Sequence, residues 1–185
     1  MIKLIVSLVI FSFSPCKKAL STLRNIEIFT VNFMETIHSR TIGNSKARGT
    51  IWFKNGRARI EIFSPDTELI FIEDTLIKTL NLHDSTLIIQ RKMGKTEFFY
   101  NLVRKNSPDR IEHTGDTCIA WFYPEIESID SIQFKFMRDT TPMEAVLYQA
   151  NVIVDVKLKG FRVLRNLPDS ILSPPEIPGI HIIKF

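Results

Sequence analysis

Cysteines and histidines are the side chains of this 185-residue sequence that could supply a nucleophile or a metal ligand. The four histidines, His38, His83, His113 and His181, lie far apart, and none forms the four-residue pair typical of a helical metal site. A Cys118 nucleophile would have only His113 nearby as a base, and their offset predicts a loop followed by a strand. We therefore expect no catalytic residue, no metal and no cofactor.

The N-terminal segment 1–21 has the features of a secretory signal. Lys3 gives it a positive start, 4–13 an apolar stretch, and Ala19-Leu20-Ser21 small residues before a cut. The apolar stretch is too short to span a bilayer as a helix. The sequence predicts an exported protein with one mature domain, 22–185; an uncleaved anchor or a buried helix is the alternative.

The predicted cut determines what is expected of the two cysteines. A cut at Ser21 removes Cys16, so no internal disulfide is expected. Lipidation of Cys16 is an alternative, although Phe13-Ser14-Pro15 is an unusual flank for it. Cys118 lies in an apolar run and is expected to be a small buried residue.

Charge is spread along the chain. The net charge is +4, but basic and acidic residues alternate with apolar ones and form no stripe, which argues against nucleic-acid binding. A weak attraction to anionic membrane surfaces is compatible with this charge. Asp139, Glu144 and Asp155 are interpreted as solvated side chains rather than as a carboxylate site.

Hydrophobic alternation predicts strands along most of the sequence. Phe29, Val31 and Phe33 share one face of the first strand, and Asn55-Gly56 is a type I′ turn signal. The expected strands are 26–37, 49–54, 57–63, 68–73, 76–82, 86–92, 117–123, 131–138, 143–149 and 153–163, with a hairpin loop over 39–48 and short helices at 20–25 and 98–105.

The expected fold class is mainly β with short helices: an incomplete, half-open antiparallel β-barrel covered by a helical lid. A sheet of nine or ten strands curls to hide its edges. The 14 phenylalanines and the many isoleucines exceed what one sheet face needs, which suggests an apolar cavity or groove.

The order of these features resembles the periplasmic outer-membrane lipoprotein carrier family (the Lol carrier, LolA-like). The matching stretches are Phe29-Thr30-Val31-Asn32-Phe33-Met34-Glu35, Gly49-Thr50-Ile51-Trp52-Phe53, Arg57-Ala58-Arg59-Ile60-Glu61-Ile62, Tyr148-Gln149-Ala150-Asn151 and Leu167-Pro168-Asp169-Ser170-Ile171-Leu172. The resemblance spans most of the predicted mature chain, and 96–116 matches poorly.

The resemblance implies a periplasmic, monomeric, non-enzymatic carrier for outer-membrane biogenesis. Such a protein takes acylated lipoproteins from an inner-membrane ATP-driven exporter and passes them to an outer-membrane acceptor. The alternatives are a lipid-binding sensor or acceptor of the same fold, an exported hydrolase on a β scaffold, and a purely structural protein without a cavity.

Candidate site residues follow from the alternation and the resemblance together. The predicted lipid-binding residues are Phe29, Phe33, Ile51, Phe53, Ile60, Ile62, Phe134 and Val154, with Phe99 and Leu102 from the lid. The family's latch arginine, which ties the barrel to its lid, corresponds to Lys54 or Asn55. Neither residue has a guanidinium group, so a latch made by Lys54 would be a single-point donor.

Overall fold

A computed structural model of the chain describes residues 15–41, 43–91, 104–124 and 129–185. Most of these residues form strands. The elements are α1 (Pro15–Arg24), β1 (Ile28–Ser39), β2 (Gly43–Lys54), β3 (Arg57–Ser64), β4 (Glu68–Ile72), β5 (Leu76–Asn81), β6 (Thr86–Arg91), β7 (Arg110–Thr114), β8 (Thr117–Phe122), β9 (Ser131–Met137), β10 (Pro142–Gln149), β11 (Val152–Val163), a 3₁₀ helix (Asp169–Leu172) and β12 (His181–Lys184).

The strands form a single sheet in the order β12-β6-β5-β4-β3-β2-β1-β11-β10-β9-β8-β7. Neighbouring strands are antiparallel except β12 and β6, which are parallel. The sheet does not close on itself. The prediction of a mainly β, half-open antiparallel barrel is therefore confirmed, whereas most of the predicted lid helix, 98–103, lies outside the described residues.

The start of one predicted strand was wrong by six residues, and two strands were not predicted. Strand β2 begins at Gly43 rather than at residue 49, because the polar residues after the hairpin remain paired with the end of β1 while their side chains face solvent. The C-terminal end forms β12 beside β6, and 110–114 forms β7. Short strands of this kind depend on distant partners, which local alternation does not reveal.

The turn between β2 and β3 was predicted correctly. Asn55 and Gly56 have φ values of 50° and 89°, as a type I′ turn requires at both central positions. The backbone N–H of Asn55 also donates to the carbonyl oxygen of Glu27 at 3.0 Å, which attaches the turn to the start of β1.

Helix α1 begins at Pro15, five residues before the predicted helix. Its buried side chains, Cys16, Ala19, Leu20 and Leu23, follow the spacing of one helix face. This face packs into a cluster with β8 and β9 that includes Phe122 and the buried phenylalanines of β9. Helix α1 is thus part of the folded core and covers one side of the sheet.

A disulfide joins Cys16 of α1 to Cys118 of β8, with the Cα atoms 5.5 Å apart. The expectation of no internal disulfide was wrong, because it assumed that Cys16 is absent from the folded chain. The predicted boundary at residue 21 lies inside α1, and residues 1–14 lie outside the described part of the chain.

The opposite face of the sheet is covered near its other edge by the C-terminal segment. Leu69, Phe71, Leu80 and Leu87 form a buried cluster there, against which Ile177 and Ile180 pack, together with the partly buried Ile89 of β6. The two sheet faces therefore have different covers: α1 on one face, and the C-terminal segment on the other.

Candidate functional site: an apolar cavity

An apolar cavity of about 460 Å³ lies on the face of the sheet that carries α1. A volume of 300–1,000 Å³ is typical of sites for small organic ligands. Strands β1–β4 and β9–β11 supply most of the wall, and α1 supplies one residue. The lining residues are Leu23, Phe29, Val31, Phe33, Glu35, Ile51, Ile60, Ile62, Ile70, Phe134, Pro142, Ala145, Leu147, Val154, Val156, Leu158 and Phe161.

Strand alternation produces this wall. In β1 the side chains at every second position, from Phe29 to Glu35, line the cavity, because successive side chains of a strand point to opposite faces. Phe33 lies opposite Gly49 of β2. A Cβ atom at Gly49 would come within 2.7 Å of the Phe33 ring and 2.0 Å of the Glu61 carbonyl oxygen. The absence of a side chain at Gly49 therefore lets the Phe33 ring lie across β2.

Seven of the predicted binding residues line the cavity: Phe29, Phe33, Ile51, Ile60, Ile62, Phe134 and Val154. Phe53 does not line it. Its side chain is fully buried and stacks on Phe29, with ring centroids 4.9 Å apart. Phe99 and Leu102 lie outside the described residues.

Ten of the seventeen lining residues were not in the predicted set, and Leu23 and Glu35 are two of them. Leu23 lies within the helix predicted at 20–25, but that helix was not assigned to the cavity wall. Glu35 continues the alternation of Phe29, Val31 and Phe33, so the sequence placed it on the cavity face. It was not included among the predicted binding residues because it is charged.

Glu35 differs in character from the rest of the wall. The other sixteen lining residues are apolar. Its partners across the strands are Ala47 of β2 and Val156 of β11, neither of which carries a charge. Burial raises the pKa of the Glu35 carboxyl above its usual value, because a partly desolvated site disfavours the charged form.

This shift predicts how Glu35 affects stability. A raised pKa in the folded state means that the stabilising contribution of the carboxyl is complete below its unfolded pKa and is lost as the pH rises through its folded pKa. Glu35→Gln should therefore unfold at higher denaturant concentration than the wild type at neutral pH, and this advantage should shrink on acidification. Urea unfolding at a series of pH values measures it.

Glu144→Gln is the matched control, since Glu144 is also half-buried on the sheet but lies 3.9 Å from Lys135 and outside the cavity wall. It should show no gain at neutral pH. A Glu35→Gln protein that is less stable than the wild type at neutral pH would contradict the prediction.

Lys54 connects β2 to the 3₁₀ helix. Its Nζ donates to the carbonyl oxygen of Leu167 and to Oδ1 of Asp169, both at 2.8 Å. A guanidinium nitrogen of Arg57 donates to the carbonyl oxygen of Leu172 at 3.4 Å. Lys54 and Arg57 thus attach the C-terminal segment to the sheet. Most of the predicted lid lies outside the described residues, so the latch between barrel and lid stays a prediction. Asn55 forms the adjacent turn.

Loss of the Lys54 contacts should loosen the 3₁₀ helix. Lys54→Met keeps the length of the side chain but removes the donor, so amide hydrogen exchange around Asp169–Leu172 should accelerate. The hydrogen bond from Lys54, and then its charge, lowers the pKa of the Asp169 carboxyl. This stabilising contribution is present above the unfolded pKa and is lost as the pH falls through the folded pKa.

Acidification should therefore accelerate exchange in this segment in the wild type and have less effect in Lys54→Met. The exposed Lys46→Met serves as the control and should leave exchange in the segment unchanged. Equal exchange in the wild type and Lys54→Met would show that Lys54 does not hold the segment.

The residues considered for catalysis are not assembled into a metal site. His113 lies directly opposite Cys118 in the β7–β8 hairpin, rather than in a loop, but the Cys118 sulfur is bonded to Cys16 and is not a thiol. Glu144 lies beside Lys135 and not in a carboxylate cluster. Within the described ranges, no group of three metal-ligating side chains occurs, and no helix is long and apolar enough to cross a bilayer.

Comparison with known proteins gave matches at the level of structure. Neither the models of protein families nor the curated proteins gave a match to the sequence. An uncharacterised conserved protein from Thermus thermophilus is similar with a TM-score of 0.54 and 13% identity, over 92% of this chain and 95% of that one. A LolA superfamily protein from Nitrosomonas europaea has a TM-score of 0.47 and 15% identity, over 86% of this chain and 97% of that one.

The structure of MucB is also similar, with a TM-score of 0.50 and 12% identity over 88% of this chain and 62% of that one. MucB in complex with MucA, from Pseudomonas aeruginosa, gives the same TM-score. At these identities the likeness concerns the fold alone. The fold that the sequence predicted is thus shared with these solved structures.

Proposed function

We propose that this protein is a periplasmic carrier that binds the acyl chains of lipoproteins in the apolar cavity, and that it is not an enzyme. It receives acylated lipoproteins from an inner-membrane ATP-driven exporter and delivers them to an outer-membrane acceptor. The observation that carries the proposal is the cavity wall, in which sixteen of seventeen side chains are apolar.

Burial of acyl chains supplies enough free energy for carriage without covalent chemistry. Each methylene group removed from water contributes about 0.8 kcal/mol. The predicted export agrees with the Cys16–Cys118 disulfide, since disulfides persist mainly in oxidising compartments such as the periplasm.

A second candidate is a lipid-binding sensor or acceptor of the same fold. The similarity to MucB, which has been solved in complex with MucA, favours a protein that also binds a protein partner. An outer-membrane acceptor would carry lipid on Cys16, which is incompatible with its disulfide to Cys118. The mass of the mature N-terminal peptide distinguishes a lipidated from a disulfide-bonded Cys16.

Native mass spectrometry of the exported protein, purified gently from a cell envelope, tests the carrier function. We expect adducts of acylated mass in the wild type. Phe33→Glu should abolish them because it places a charge in the apolar wall, and Val154→Trp should weaken them because it fills the cavity.

Phe63→Glu is the matched control, since Phe63 is on β3 but is 46% exposed and outside the wall. It should keep the adducts, and circular dichroism should confirm that all variants are folded. A wild-type protein that carries no adduct and also fails to bind a fluorescent acyl probe would overturn the proposal. Transfer of a labelled lipoprotein between inner- and outer-membrane vesicles distinguishes a carrier from a sensor.

A further inference from the structure

One charged side chain lines the cavity among the described residues. Glu35 is half-buried, and no hydrogen bond or ion pair joins its carboxylate to another described residue. An unpaired carboxylate in an apolar wall is unfavourable unless a partner compensates for its lost hydration. The described part of the wall does not contain this partner.

Two cations of the neighbouring strands close to Glu35 in register lie on the other face of the sheet. Arg48 of β2 and Lys157 of β11 are both in register with Met34, the residue before Glu35 in β1. Because adjacent residues of a strand point to opposite faces, Arg48 and Lys157 point away from the cavity. Ala47 and Val156, which are in register with Glu35, occupy the cavity face.

Glu35 follows a row of apolar side chains on the cavity face of β1, and this face continues with Ile37, whose partner Val154 also lines the cavity. Phe29, Val31 and Phe33 precede it on the same face of β1, and the row from Phe29 to Glu35 is about 20 Å long at the rise of an extended strand. A carboxylate within an apolar wall is complementary to an apolar tail that carries a cation. The same row would disfavour a tail with an anionic end.

We propose that the cavity prefers amphiphiles that carry an ammonium group next to their alkyl or acyl tail, and that the Glu35 carboxylate binds this group. The inference rests on the proposed function, because it specifies the chemical class of the ligand that the apolar wall holds. The ion pair supplies the positive partner that Glu35 lacks, and partial burial strengthens it relative to a pair in water.

Isothermal titration calorimetry with three probes of equal tail length tests this: dodecylammonium, dodecanol and dodecanoate, each below its micelle concentration at neutral pH. The wild type should bind dodecylammonium at least about tenfold more tightly than dodecanoate, which corresponds to about 1.4 kcal/mol. Glu35→Gln should remove most of this preference, and dodecanol serves as the uncharged reference for each variant. Glu144→Gln should keep the preference, since Glu144 lies outside the wall.

The possible outcomes distinguish failure of the Glu35 role from failure of the carrier function. A wild type that binds dodecanol but does not discriminate between the charged probes, or a preference that survives Glu35→Gln, overturns the role of Glu35 and leaves the carrier function standing. Failure to bind any dodecyl probe overturns the proposed function itself. Ethylammonium, which lacks the tail, should not displace dodecylammonium; displacement would show a simple ion-pairing site and would overturn the amphiphile preference.

Discussion

Reduction of the Cys16–Cys118 disulfide should lower the free energy of unfolding by roughly 2–5 kcal/mol. The cysteines are 102 residues apart in sequence, and the loss of such a large closed loop increases the conformational entropy of the unfolded chain. Guanidinium unfolding with and without a reductant measures the effect. The reduced protein should also lose the packing of α1 first, because the disulfide cross-links α1 to β8.

The double variant Cys16→Ser/Cys118→Ser is the control. It should unfold at the same denaturant concentration with and without reductant, and close to that of the reduced wild type. Equal stability of the oxidised and reduced wild type would contradict the prediction. Intact mass of the exported protein shows in parallel whether Cys16 is retained, since a cut at Ser21 would remove the disulfide and the buried Ala19 and Leu20.

Phe53→Ala should lower the free energy of unfolding by about 3–5 kcal/mol. Phe53 is fully buried, and it stacks on Phe29 within the cluster that contains Val31 and Ala58. Truncation leaves a cavity that rigid strands on both sides cannot fill. Urea unfolding measures the loss.

Phe63→Ala is the matched control on the same sheet. Phe63 is largely exposed, so its truncation should change stability by less than about 0.5 kcal/mol. A Phe53→Ala protein no less stable than Phe63→Ala would show that Phe53 is not a core residue. The pair tests the correction that the structure makes to the predicted binding set, in which Phe53 was counted among the lining residues.

Alternation predicted much of the cavity because it determines which face a side chain occupies. Phe29, Phe33 and Glu35 are an even number of positions apart in β1, so they point to the same face, and all three line the cavity wall. Phe53 also points to this side of the sheet, in register with Phe29, yet it is covered. Alternation along a strand predicts which face a side chain points to, but not how deeply it is buried. Its burial depends on how neighbouring strands curve and which rings stack on it.

Features that depend on distant partners were not predictable in the same way. The apolar stripe of α1 was visible, but its use in the core depends on β8 and β9, which follow about a hundred residues later. The C-terminal strand likewise has no local signal beyond a short apolar run, and its parallel partner β6 is distant in sequence. Lys54 was predicted to tie the barrel to its lid, and its contacts with Leu167 and Asp169 of the C-terminal segment were not predicted.

The short parallel strand β12 also has a consequence for self-association. Among the described strands it occupies one margin of the sheet, beside β6, and hydrogen-bonds along residues that would otherwise present unpaired backbone groups. Such exposed groups are templates for intermolecular β-pairing and aggregation. Strand β12 has only four residues, with His181 and Lys184 at its ends. The edge strand next to β6 is therefore short and has polar residues at both ends. The C-terminal residues thus cover the β6 margin of the sheet.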